Sequence, residues 1–522
     1  MIQSPAGYQG DVRIKRYLDF YQAGYGVAML SSGVAFSPLS LFANGEPGGW
    51  YDPSDLTTLY QDAAGTTPVT AVEQPVGLVL DKSKGLVLGP ELISNGSFAN
   101  GTTGWLAINS ATIAASGGEL TVTAGSGTGN TFGGASQTIT TVIGQRYFIV
   151  ASVKTASKRI ATALAGAGGY PTTTSTSYVT LQFSFVASST SSQIGVFFDN
   201  TAANGDTFTV RSVSVRELPG NHLSQSTTAA RPVLSARVNA LVNTATLSTQ
   251  SVTTLATNYT LRFEGAGSIA LSGTGSGTYS AGSHTVTCTA GTLTLTVTGS
   301  VTNADLRPAN AGVGLPAYQR VGAATSGSST AAGNADYDAD PALWPRYLRF
   351  DGVDDALASA SINFTSTDKM SVFAGVRKLS DAALGMVTEL SVALGSNNGS
   401  FYLVAPSGGS GNDYSFVSKG TASAGAGSGA SYVSPITNVV AGLGNISGDS
   451  TLLRINGVEV GTNSADQGTG NFGNYPLYVG SRAGSSLRFN GHLYSLIVRG
   501  AATDAATITS TETWVNQKTL AY

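Results

Sequence analysis

Val179-Thr180-Leu181-Gln182-Phe183-Ser184-Phe185 alternates apolar and polar side chains. A period of two sends successive side chains to opposite faces of an extended chain, so this run reads as a strand with one buried and one wet face. Leu120-Thr121-Val122-Thr123, Tyr147-Phe148-Ile149-Val150-Ala151-Ser152-Val153, Ile194-Gly195-Val196-Phe197-Phe198 and Phe208-Thr209-Val210-Arg211-Ser212-Val213-Ser214-Val215 share the pattern. Turn residues separate the runs at fairly regular spacing, which predicts an antiparallel sandwich or jelly roll over residues 91–218.

The pattern extends outward. Residues 219–306 predict a smaller β-sandwich module, with runs such as Tyr259-Thr260-Leu261-Arg262-Phe263 and Leu293-Thr294-Leu295-Thr296-Val297. Residues 307–343 are rich in Ala, Gly and Ser and read as a linker. Residues 344–522 form a last β module. In it, Asn456-Gly457 between two strand-like runs predicts a two-residue hairpin, because both turn positions need positive φ. A short helix is expected at 504–518 with Trp514 as its apolar anchor, and another at 11–22. Asp52 or Ser54 is expected to cap a brief turn. Residues 1–90 have too little periodic apolar content for a core and read as an extended anchor that needs a partner surface. The fold class is therefore all-β, with tandem antiparallel sandwiches behind an N-terminal arm.

Composition agrees. Charged residues are 11% of the 522, against about 25% in ordinary domains. The 66 glycines suit short strands and small-residue turns better than helical bundles. The net charge is −3 and no basic block stands out, which argues against nucleic acid as a partner. No stretch approaches the roughly 18 apolar residues of a membrane span, so no membrane insertion is expected. Residues 1–10 lack the features of a secretory signal. The single cysteine, Cys288, lies in an alternating run and reads as an inward side chain.

Residues suited to chemistry are sparse. His222, His284 and His492 stand apart, without a nucleophile in a known pattern or metal-ligand spacing. Glu389, Glu459 and Asp466 are isolated, whereas a sugar-cleaving sandwich would set carboxylates alternately along one strand. No enzyme is expected, and no cofactor. Asp351, Asp354 and Asp355 cluster after a strand. The plain reading is that they accept from turn N–H groups; the sharper one is a structural calcium or polar-ligand site. Sugar-binding platforms use exposed aromatic faces. Trp105, Tyr170 and Tyr178 are the candidates in the first module, although Trp105 at a strand start also suits a core. Tyr402, Tyr414 and Tyr432 are the candidates in the last.

Three resemblances attach to these landmarks. Leu348-Arg349-Phe350-Asp351-Gly352-Val353-Asp354-Asp355, with Ile455-Asn456-Gly457 and Phe489-Asn490-Gly491-His492-Leu493-Tyr494, resembles the laminin-G/concanavalin A-like sandwich over the last third of the chain. Residues 91–105 with 208–218 are similar to jelly-roll carbohydrate-binding modules. Such modules often place an Asp-Asn pair, in which the Asp helps bind calcium, where Arg211-Ser212 stands here, and the Arg argues against the ion at that spot. The segment Trp50-Tyr51-Asp52-Pro53-Ser54-Asp55-Leu56 through Pro75-Val76-Gly77-Leu78 resembles an N-terminal block of bacteriophage structural and tail-associated proteins. That resemblance implies a virion-surface protein, made in the host cytoplasm. It would join other virion proteins through its N-terminal segment and touch host-surface glycans. A homo-oligomer is expected by analogy with phage fibres. The rival readings are a secreted bacterial adhesin or accessory carbohydrate-binding protein, and a glycan-cleaving tail enzyme.

Overall fold

The computed structural model describes residues 36–125, 132–156, 159–164, 170–198, 202–323, 336–408, 411–429 and 431–522. The helix expected at 11–22 lies outside them. The described chain is built of antiparallel sheets around three main apolar cores, as tandem β-sandwiches.

In the first sandwich, one sheet runs Val179–Val186, Arg146–Thr155, Thr207–Leu218, Glu119–Thr123, Thr112–Ser116. The facing sheet runs Thr172–Thr173, Ile160–Leu164, Ser191–Phe198, Gly134–Thr140, Leu106–Ile108. The alternation decides which side chains turn inward. Ile149, Ala151, Val153, Phe183 and Phe185 meet Ala135, Ile139, Ile194, Val196 and Phe198 in one core. Each large apolar side chain so buried contributes roughly 1.5–3 kcal/mol. Phe208 and Val210 point inward, and so do Val213 and Val215. Two residues separate Val210 from Val213, so the period slips by one, and the strand absorbs the slip in a β-bulge at Arg211.

The small module has one hydrogen-bonded sheet, in which the long strand Thr257–Gly273 pairs with Thr302–Pro308 along its first half and Gly291–Thr298 along its second. The register breaks between Phe263 and Ser268. Leu261 and Phe263 before the break, and Ile269 and Leu271 after it, enter the same core. Cys288 is buried there with a free thiol.

The last sandwich draws on more of the chain than its own third. Gly48–Tyr51 pairs with Asn490–Arg499, with Tyr51 opposite Leu496. Leu59–Tyr60 and Leu78–Val79 pair with each other, and the edge continues through Leu223–Ser224 to Leu357–Asn363. Tyr51, Leu59, Val69, Val72, Val76 and Val79 share a core with Phe350, Phe364, Val372 and Leu496. This corrects, for its described part, the expectation that the surface the 1–90 anchor needs lies on other proteins. The segment is too poor in apolar residues to fold alone, but its partner surface is the C-terminal half of the same chain. Gly48 shows how close the fit is. It holds φ +148°, and a Cβ there would stand 1.9 Å from the Val498 carbonyl oxygen.

The described part of 307–343 is likewise packed rather than loose. Val321 and Tyr337 belong to the last core. Buried Gln319 accepts from the N–H groups of Val238 and Asn239 and donates to the carbonyls of Ala236 and Asp338.

The hairpin at Asn456-Gly457 has φ of 50° and 79°, as a primed turn requires. The C-terminal helix is Ala505–Thr519. The Asp504 carboxylate caps it by accepting from Thr507 N–H at 3.0 Å. Its fully buried apolar side chain is Val515, while Trp514 is half-buried and meets Trp50 edge-on at 5.6 Å. The short 3-10 turn Leu56–Thr58 is capped by Asp55 rather than by Asp52 or Ser54. Asp52 instead accepts from Ser54 N–H.

Candidate functional site

The outer face of the sheet Leu106–Ile108, Gly134–Thr140, Ser191–Phe198 follows from the same alternation as the core. Because Ile194, Val196 and Phe198 point inward, Gln193, Gly195 and Phe197 must point out. Cross-strand pairing sets Gln193 opposite Thr138, Gly195 opposite Ser136 and Phe197 opposite Gly134. Leu106 and Ile108 add a third row beside Ser136 and Gly134.

Phe197 lies close over two glycines. A Cβ on Gly134 would stand 2.5 Å from its Cβ, and one on Gly195 would stand 3.3 Å from its ring. Tyr170 and Phe132 each meet the Phe197 ring edge-on with centroids 5.5 Å apart. Edge-to-face contact is a favoured aromatic geometry, and it fixes Tyr170 without covering both its faces. Phe132 is 39% exposed, Leu106 is 69% exposed and Tyr170 is half-buried. Gln193 is exposed, and its amide donates to Ser136 Oγ at 3.0 Å. The result is an apolar and aromatic surface bordered by the Gln193 amide and the exposed Thr138 hydroxyl, while Ser136 lies buried beneath. It can pack against the C–H face of a sugar ring while hydrogen-bonding its hydroxyls.

The remaining aromatic candidates are placed elsewhere. Trp105 is a correction: it is 4% exposed, packs against Phe98 at 5.5 Å, and donates from Nε1 to the Asn95 carbonyl. Tyr414 is also a correction, since it is fully buried and accepts from Asn438 Nδ2. Tyr178 is half-buried at the opposite sheet. The Arg211 guanidinium sits 3.9 Å from its ring centroid and Lys154 Nζ sits 4.4 Å from it, so cations hold the ring a sugar would stack on. Burial, then Glu119, pushes its hydroxyl up to about 12. Tyr402 and Tyr432 belong to the last sandwich. Arg482 lies 6.0 Å from the Tyr402 ring, and Tyr432 meets Tyr414 edge-on.

The carboxylates of Asp351, Asp354 and Asp355 lie within 4.8 Å of one another. Asp351 accepts from the N–H groups of Val353 and Asp354, and Asp355 accepts from Asp351 N–H. These are the turn-bracing roles of the plain reading. Burial, then the charges of Asp351 and Asp354, raises Asp355 to about 7. Glu389 is fully buried, pairs through both oxygens with Arg482, and accepts from Leu394 N–H. The histidines are structural. His222 Nδ1 accepts from Asp81 N–H while its Nε2 meets the Leu218 carbonyl, and buried His492 stacks on Tyr347 at 3.8 Å.

Sequence reading named Tyr170, which the structure places on this face, but not Phe197, Phe132, Gln193 or Thr138. The signal for Phe197 was present, because in Val196-Phe197-Phe198 only one of two adjacent aromatics can face the core.

No family model matches the chain, and no curated protein does. Among solved structures, it is similar to the CBM40 module of the Ruminococcus gnavus IT-sialidase bound to α2,3-sialyllactose. That match has 18% identity over 28% of this chain and 83% of that one, with a TM-score of 0.23. A CBM4 structure matches at 18% identity over 24% of this chain and 99% of that one, TM-score 0.21. The binding domain of botulinum neurotoxin DC in complex with SialylT matches at 12% identity over 33% of this chain and 43% of that one, TM-score 0.26. Scores this low decide nothing about ligand or role.

Proposed function

We propose that the chain is a non-catalytic, glycan-binding component of a bacteriophage particle. The observation that carries the glycan reading is the surface of Tyr170 and Phe132 braced on the buried Phe197, with the exposed Gln193 and Thr138 beside it, on the outer face of a sheet. Preformed sheets suit this task because little side-chain freedom is lost on binding. The non-catalytic reading is supported by Glu389, whose oxygens are already committed to Arg482 and Leu394 N–H. The particle reading is supported by the likeness of residues 50–78 to phage structural proteins. On that reading the protein sits at the virion surface, after synthesis in the host cytoplasm, with other virion proteins and host-surface glycans as partners.

Two experiments test these halves. The intact chain on a glycan array should retain a defined set of sugars, and an empty array would refute the glycan half. Immunogold labelling of purified phage particles should decorate a fixed position, and unlabelled particles would refute the other half.

A further inference from the structure

A cavity of about 390 Å³ lies where the first and last sandwiches meet, between Arg146 and Val186 on one side and residues 356–360 on the other. Ser224, Gln225 and Ser359 give it hydroxyl and amide walls. Among the residues lining it, Arg146 is the one formal charge. His222 beside it is held neutral, because burial and the Arg146 charge lower it to about 3.

Arg146 is 4% exposed. Its Nη1 donates to the Ala63 carbonyl and to Ser184 Oγ. Nε has no hydrogen-bond partner, and among the described residues no carboxylate comes within ion-pair distance of the guanidinium. Asp62 acts on it through space, but its oxygens are taken by Thr66 and Thr67. Burial lowers Arg146 only to about 10, so it stays charged at neutral pH. A buried cation is normally paired, and an unpaired one is costly. Nε is closed to solvent and Nη1 is taken, so a ligand in the cavity would meet the guanidinium through Nη2, as a charge-assisted donor to one oxygen of a carboxylate, sulfate or phosphate.

We infer that this cavity is an oxyanion-binding site, with Arg146 as its charged anchor, for a small ligand carrying a carboxylate, sulfate or phosphate group. The volume falls in the range of small-molecule pockets, and the hydroxyl and amide walls suit a polar body behind the anion. The site is separate from the Tyr170 face and stands or falls independently of it.

The test is the thermal unfolding midpoint of the full chain against increasing glucuronate, sulfate or glucose, with ionic strength fixed by sodium chloride. Glucuronate or sulfate should raise the midpoint saturably, by about 2–4 °C, and glucose should not. A rise with glucuronate alone identifies an acidic sugar, and an equal rise with sulfate identifies a free oxyanion. Arg146→Gln should abolish the rise, and so should Val186→Trp, which fills the cavity mouth from a residue 44% exposed. The second variant decides if the first fails to fold. Tyr170→Ala should keep the rise. No rise beyond chloride, an equal rise with glucose, or a rise that survives Val186→Trp would overturn the site.

Discussion

Tyr170 meets Phe197 edge-on, with ring centroids 5.5 Å apart and planes at 82°. Phe197 is 7% exposed, yet it belongs to the outer face of its sheet and not to the core behind it. Gly134 lies under the pair, where a Cβ would collide with the Val196 carbonyl oxygen and the Phe197 Cβ, and a Cβ on Gly195 would crowd the Phe197 ring. Gly134→Ala should therefore displace the ring and cost about 1–3 kcal/mol of stability, as overpacking does. Chemical denaturation with near-UV circular dichroism checks both effects. An unchanged aromatic spectrum would show that the glycine does not position Phe197.

Removing residues 1–90 should unfold the last sandwich. The deletion takes Tyr51, Leu59, Val69, Val72, Val76 and Val79 out of the core. At roughly 1.5–3 kcal/mol each, that loss rivals the whole stability of a domain, about 5–15 kcal/mol. Limited proteolysis and thermal melts of the deletion measure it, and a parent-like melt would contradict the packing. A test of particle attachment by truncation should accordingly spare residues 48–80.

Legibility in the sequence followed the physics of each element. The first sandwich was readable because one face of each strand is wet, so the alternation is visible, although the slip between Val210 and Val213 was read as plain alternation. The hairpin at Asn456-Gly457 was readable because few residues tolerate its backbone. Residues 48–80 were misread as an arm because Gly48–Tyr51, Leu59–Tyr60 and Leu78–Val79 are buried strands of two to four residues, too short to show a period. Their partners stand far away in sequence, as the Tyr51 and Leu496 pair does. The candidate site was half legible. Tyr170 in a loop suggested exposure, but the cations on Tyr178 come from Lys154 and Arg211 on other strands, and no local pattern announces them.

Asp355→Asn should stabilise the protein most above pH 7 and matter little below about pH 4. Folding raises this carboxyl from its ordinary value near 4 to about 7, through burial and then its two acidic neighbours. The native state thus holds a proton that the unfolded chain releases, and stability falls as pH climbs through that window. Asn keeps an oxygen for the Asp351 N–H and removes the charge. Melting midpoints of both proteins from pH 3 to 8.5 should diverge between about pH 4 and 7 and run parallel above, and curves parallel throughout would contradict the assignment.

Arg482→Ala should cost about 3–5 kcal/mol, because it leaves the Glu389 carboxylate buried without its partner. Glu389→Gln in the same background should recover part of the loss. Urea denaturation of the three variants is the check, and equal stability of Arg482→Ala and the parent would show that water relieves the charge.

The central claim is that sugars are held on the outer face of the first sandwich. Isothermal titration of an array-identified glycan into the parent chain, Tyr170→Ala and Tyr402→Ala tests it most directly. The account predicts at least a tenfold loss of affinity for Tyr170→Ala, about 1.4 kcal/mol, and parent-like binding for Tyr402→Ala. Parent-like binding by Tyr170→Ala, or equal loss in both variants, would contradict it.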